Sequence, residues 1–170
     1  MRRRGALGLG SLALLLAAFF LWQQRPSTSL CPHPPRPEAV LEATVRHAVD
    51  GDTVEVEVHG NLERIRLIGV DTPEMRDPRP SIREVARLAA QFTRGRLVGR
   101  RVGLELDVEP RDRYRRLLGY VWLGGRLFNL ELLESGYARL YTVPPNVRYV
   151  EWFRTCQRLA REARRGLWAQ

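Results

Sequence analysis

No lysine occurs in this 170-residue chain; all 28 of its basic residues are arginine. The formal net charge of +9 is therefore carried by guanidinium groups, planar forks that can meet phosphate oxygens two at a time. A basic excess favours a polyanionic partner, nucleic acid above all, although a solvated arginine surface would read the same way. Cysteine is nearly missing, with only Cys31 and Cys156. There is no CxxC pair and no Cys/His cluster, which argues against a zinc site. His33, His47 and His59 are scattered, and none stands at metal-ligand spacing. Outside the cytoplasm the two cysteines could pair; the sequence leaves a bridge and two separate thiols equally open. There is also no internal repeat.

One long apolar run is present. Met1-Arg2-Arg3-Arg4 precedes an uncharged block from Gly5 to Trp22, and Phe19, Phe20 and Trp22 crowd its far end. A basic start before such a block is an export signal or an anchor. At 18 residues it is longer than a usual signal core of about 7–15 and close to the roughly 20 that span a bilayer. We expect an N-terminal hydrophobic helix over 1–22. It serves as a retained anchor in preference to a cleaved signal, with the arginines inside and the rest of the chain on the extracytoplasmic side. Cleavage would make the protein secreted or periplasmic instead. Leu30 before Cys31 is a poor lipoprotein signal. Residues 23–38, with Pro26, Pro32, Pro34, Pro35 and Pro37, read as an extended spacer. Residues 39–170 remain, enough for one domain.

Within that domain, periodicity marks strands at 41–49, 52–58 and 62–70. In the second of these Val54, Val56 and Val58 alternate with Glu55 and Glu57. Asp50-Gly51 and His59-Gly60-Asn61 are turns, so the three form a meander. Ser81 and Glu84 have the spacing of a capping box. Val85, Leu88, Ala89 and Phe92 then recur at helical spacing until Gly95 or Gly99. Further strands are expected at 101–108 and 117–123. A short helix is expected at 127–135, and a last one at 149–167 with Trp152 and Leu159 facing inward. Five strands with a helix before the fourth predict a mainly β fold with α: a five-stranded barrel of the oligonucleotide-binding (OB-fold) type carrying about three helices.

The segment VDTPEM, residues 70–75, places two carboxylates, Asp71 and Glu74, at a strand exit, separated by Pro73. Asp52 follows the first hairpin turn, so the meander can bring Asp52 and Asp71 together from opposite ends of one hairpin. Two carboxylates with a backbone carbonyl such as that of Thr72 form an all-oxygen site, suited to Ca²⁺ or Mg²⁺. Glu74 is then left to orient or deprotonate a water. DG and DTP are also ordinary turn sequences, and both readings stay open on the acids alone. Arg66 lies on the third strand and Arg116 opens the fifth. Two fixed guanidiniums beside a divalent cation are a sensible way to stabilise the charge that builds on a phosphodiester under attack.

Three stretches together, DGDT (50–53), IRLIGVDTPE (65–74) and RDRYRRLLGYV (111–121), resemble the staphylococcal nuclease (thermonuclease-like) family, as does the closing REARRGLW (161–168). The likeness covers about residues 41–168. It implies that Asp52 and Asp71 supply calcium carboxylates and Thr72 its carbonyl. It implies that Glu74 is the general base, and that Arg66 and Arg116 clamp the phosphate. The reaction implied is hydrolysis of DNA and RNA at the 5′ P–O bond, leaving 3′-phosphate ends. Arg113 and Tyr114 match positions that contact a terminal phosphate, and Tyr141 matches one of two tyrosines that flank the base. Arg115 stands where the family motif usually has glycine, and Val143 where the second tyrosine is expected. The loop from Met75 to Ser81 is short.

The function expected is thus a calcium-dependent nuclease acting on DNA and RNA outside the cytoplasm. It would be monomeric, and membrane-bound through residues 5–22 if these are not cleaved. The alternative is a non-catalytic, membrane-tethered barrel that binds nucleic acid.

Overall fold

The computed structural model describes residues 29–169; the expected hydrophobic helix, Gly5–Trp22, lies outside them. No described helix is long and apolar enough to cross a membrane. The strands are β1 (Leu41–Ala48), β2 (Thr53–Val58), β3 (Asn61–Leu67), β4 (Gly69–Asp71), β5 (Arg101–Arg111), β6 (Leu117–Leu123), β7 (Arg126–Leu127) and β8 (Arg139–Tyr141). The helices are α1 (Pro80–Leu97), α2 (Phe128–Glu134) and α3 (Val150–Glu162), followed by a 3₁₀ turn at Gly166–Trp168.

Alternation sets the faces of the strands. Val54, Val56 and Val58 are buried while Glu55 and Glu57 between them are not. β3, β2, β1, β5 and β6 pair antiparallel in that order, and a parallel pairing of β3 with β6, Ile65 opposite Leu117, closes the ring. The result is the five-stranded barrel with three helices that the periodicity predicts. Tyr120, Trp122, Phe128 and Phe153 are its largest fully buried side chains.

The expected third strand, 62–70, is broken in two. β3 stops at Leu67, and Gly69 adopts φ +80° before β4 departs to pair with β8. Only glycine fits there. A Cβ at residue 69 would lie 2.0 Å from the Phe153 ring, and the left-handed backbone disfavours any other side chain. This break carries Asp71 away from the barrel wall and onto its rim.

The capping box does not form. α1 begins two residues earlier, at Pro80, with Arg79 in place of Ser81 at the N-cap and no side-chain cap. Proline is well placed in the first turn because its missing N–H has no helical partner there. Glu84 instead pairs with Arg87. The last helix is shorter than expected and ends at Glu162. Phe153, Cys156 and Ala160 form its buried face, and Trp152 and Leu159 are half-buried beside it.

Residues 29–38 have no helix or strand, as a spacer would, but they are docked on the domain. Cys31 is disulfide-bonded to Cys156 of α3. The Ser29 hydroxyl donates to Glu134 (3.1 Å), and His33 Nδ1 accepts the Leu127 N–H (3.2 Å). Cys31 and Pro34 are buried. The bridge decides between the two cysteine states that the sequence left open.

Candidate active site

Arg66 organises the rim of the barrel. Its Nε lies 3.2 Å from Asp52 Oδ1 and its Nη2 2.9 Å from Asp71 Oδ1. Its Nη1 donates to the carbonyls of Val70 (2.7 Å) and Leu67 (2.9 Å), so the same guanidinium stitches the β3–β4 break. Asp52 and Asp71 thus both pair with one arginine, which lies between them.

Asp52 is only 5% exposed. Its Oδ2 accepts the Thr72 backbone N–H (2.7 Å) and hydroxyl (3.0 Å), and its Oδ1 accepts from the Thr53 hydroxyl (3.2 Å). Burial pushes its carboxyl up to about 6, against the opposing charge of Arg66 and the two Thr72 hydrogen bonds; the nearby Asp50 carboxylate adds to the rise. An environment that resists an isolated negative charge, next to a second carboxylate, favours a cation. The donors are all oxygen, which fits a hard divalent ion. Among the described residues no cluster of three or more His, Cys, Asp or Glu side chains is arranged for a metal, so carbonyls and water would complete the shell.

A cleft of about 390 Å³ opens over this rim. Arg66, Asp71, Glu74, Arg116 and Tyr141 line it, together with Val143 and Pro144. Asp52 lies below Arg66 and outside the lining, and Thr72 lies on the other side of Asp71, in a smaller recess with Pro73 and Glu74. Arg66 reaches the cleft from β3 and Arg116 from the residue just before β6, the parallel neighbour of β3, since Ile65 pairs with Leu117 and Arg66 with Leu118.

Arg116 is held by Asp112. Its Nε donates to Asp112 Oδ2 (2.7 Å), while Oδ1 accepts the backbone N–H groups of Tyr114 (2.9 Å) and Arg116 (3.0 Å). Burial raises the Asp112 carboxyl, but the hydrogen bonds from Arg116 and Tyr114 outweigh it and hold the group below the usual carboxylate range. Arg115 turns away from the main cleft, so Arg116 is the arginine that enters it.

Arg115 also shows why glycine suits its position, since its φ is +67°. A left-handed conformation costs an L-residue roughly 1–2 kcal/mol, part of which glycine loses again through its freer unfolded chain. Arg115→Gly is expected to raise the unfolding free energy by about 1 kcal/mol. Urea unfolding of both proteins checks this; an unchanged or lower midpoint would mean that the turn is not strained.

Arg113 and Tyr114 are not brought into the main cleft. Arg113 Nη2 lies 2.6 Å from the Tyr114 hydroxyl, its guanidinium 4.7 Å from the ring centroid, and both side chains are exposed. Tyr141 does line the cleft and is 55% exposed.

Three contributors escape sequence reasoning. Asp50 Oδ1 accepts the Asp52 N–H (3.0 Å) and fixes the turn that presents it. Asp112 was legible only as an acid four residues before Arg116. The Asn146 side chain bonds both the N–H and the carbonyl of Glu109 (2.8 Å each), anchoring the Val143–Pro144 wall to the end of β5. No sequence pattern announces that last pairing.

Residues 64–170 match the family model described as staphylococcal nuclease homologue. The thermonuclease of Staphylococcus intermedius is 41% identical over 124 residues, covering 73% of this chain and 74% of that protein. The thermonuclease of Staphylococcus hyicus is 38% identical over 125 residues, 74% of each. Endonuclease YncB of Bacillus subtilis (strain 168) is 30% identical over 141 residues, 82% of this chain and 67% of its own.

Proposed function

This chain belongs to the staphylococcal nuclease family and is a hydrolase of phosphodiester bonds, and we propose that it is a calcium-dependent nuclease that cleaves DNA and RNA at the 5′ P–O bond outside the cytoplasm. The observation that carries this reading is the single cleft lined by Arg66, Asp71, Glu74 and Arg116. It joins two cations that suit a phosphate to two acids with different surroundings.

In the mechanism we propose, Asp52 and Asp71 with the Thr72 carbonyl would hold calcium, which when bound supplies positive charge beside the phosphate. Glu74 takes the proton of the attacking water as it adds to phosphorus. Arg66 and Arg116 donate to the phosphate oxygens as negative charge builds on them. The bond from phosphorus to the 5′ oxygen breaks, the leaving 5′ oxygen takes a proton from solvent water, and the phosphate stays on the 3′ side. Asp112 keeps Arg116 aimed, which spares reorganisation at the moment of reaction. Arg113, Tyr114 and Tyr141 act in holding the strand.

The extracytoplasmic location is supported by the Cys31–Cys156 bridge, because such bonds persist in oxidising compartments. The arginine-led apolar block at 1–22 supports it as well.

The test is cleavage of single-stranded DNA and of RNA by the full chain, with calcium and with chelator, followed by end-group analysis. Calcium-dependent cleavage leaving 3′-phosphates is expected. Binding without cleavage under every divalent ion tried would sink the mechanism and leave a binding barrel.

A further inference from the structure

A second cleft, of about 310 Å³, lies on the outer side of β3. Arg64, Arg115 and Arg116 line it with Tyr114 and Leu62, and the acids Glu55 and Glu63 line it as well. Arg116 lines this cleft and the main one, so the two are neighbours across a single side chain. Arg64 and Arg66 share one face of β3 and divide between the clefts in the same way.

The charges here are uneven. Glu55 is bonded to Arg64 (2.8 Å), Glu63 to Arg111 (2.7 Å) and Asp112 to Arg116 (2.7 Å). Each acid is thus already matched. Arg115 makes no ion pair with any described residue and adds an unmatched positive charge. Beside it are two large exposed apolar surfaces, Leu62 at 64% and Tyr114 at 65%. Cations interleaved with an exposed aromatic ring are what a single strand needs: phosphates meet the guanidiniums and a base lies on the ring.

The backbone strain points the same way. Arg115 occupies its left-handed conformation with both flanking groups tied. Its N–H donates to the Asp112 carbonyl (2.9 Å), and its carbonyl accepts from Arg111 Nη1 (2.7 Å). A glycine would sit there without strain, where this chain carries an arginine. His59 and Arg164 are left-handed as well, and of the three Arg115 is the one that lines this cleft.

We propose that this outer cleft is a subsite for the nucleotide flanking the cleaved linkage, with Arg115 as its phosphate contact and the Leu62–Tyr114 surface as its platform. The proposal rests on the nuclease reading for the strand's position in the main cleft. It adds a strand-length preference that Arg115 confers.

Binding in chelator separates the two readings, because no turnover is involved. Fluorescence anisotropy of a labelled twelve-nucleotide single-stranded DNA is measured for the full chain, Arg115→Gly and Arg115→Lys across a salt series. Arg115→Gly is expected to weaken binding about fivefold and to lower the slope of log K against log salt by about 0.7, the loss of one single-strand phosphate contact. Arg115→Lys is expected to keep the slope. The ratio of affinities for the twelve-nucleotide strand over a dinucleotide should fall in Arg115→Gly as well. Equal affinity and slope for Arg115→Gly and the parent overturn the proposal, as does no measurable binding of the strand by the parent. Thermal melting excludes misfolding, since the glycine variant is expected to melt higher. Failure of the nuclease reading would appear only in the cleavage assay.

Discussion

Glu74→Gln is expected to lower kcat by roughly 10²–10⁴-fold, the usual cost of losing a general base. The amide has the shape of the carboxylate but cannot accept the water's proton. Glu74 is exposed, so the substitution leaves packing untouched, and stability should change by no more than about 0.5 kcal/mol. Asp52, Asp71 and both cleft arginines stay in place, so strand binding in chelator should persist. The loss then belongs to the transition state, and kcat and kcat/KM fall together. Single-turnover cleavage with saturating enzyme reads the chemical step directly. A variant that keeps more than a tenth of parental kcat would remove Glu74 from the role of base. One that keeps kcat but raises KM would make it a binding group.

Removing the Cys31–Cys156 bridge is expected to cost about 3–5 kcal/mol of stability, because the bond closes a loop with a sequence separation of 125 residues. Without the link the unfolded chain gains the freedom of a loop spanning nearly the whole domain. The folded side loses too, since Cys31 is 2% and Cys156 0% exposed, and the bridge holds the docked segment against α3. A domain of this kind is stable by about 5–15 kcal/mol, so the bond accounts for a large share. Urea unfolding of the oxidised chain, the reduced chain and the Cys31→Ala/Cys156→Ala variant measures it. Coincident midpoints would show that the bridge adds nothing to stability and overturn the prediction.

How much of this was legible follows from the range of each interaction. The valines of β2 and the turn dipeptides around it set strand faces locally, and the barrel order follows from them. The carboxylates and arginines of the cleft were legible because each sits at a strand end, where neighbouring strands bring distant positions together. The break at Gly69 was not. It depends on the Phe153 ring, supplied 84 residues later, occupying the space a side chain would need. The capping box failed because Pro80 offers a competing helix start one residue upstream of Ser81, and local spacing alone does not rank the two. Asn146 works through backbone groups alone and Asp112 through two of them besides the Arg116 guanidinium, and backbone groups have no signature in sequence. The docked segment 29–34 looked like spacer because its prolines say only that it is extended, not what it lies against.

The bridge also changes what a protease can do. Every exposed turn between Cys31 and Cys156, the Met75–Arg79 stretch included, lies inside one covalent ring. A single cut there opens the ring but releases nothing. The two pieces of the nicked molecule stay covalently joined until a reductant is added. Where a protease meets the folded chain, that converts a first proteolytic event from loss of a fragment into a break within a tied loop.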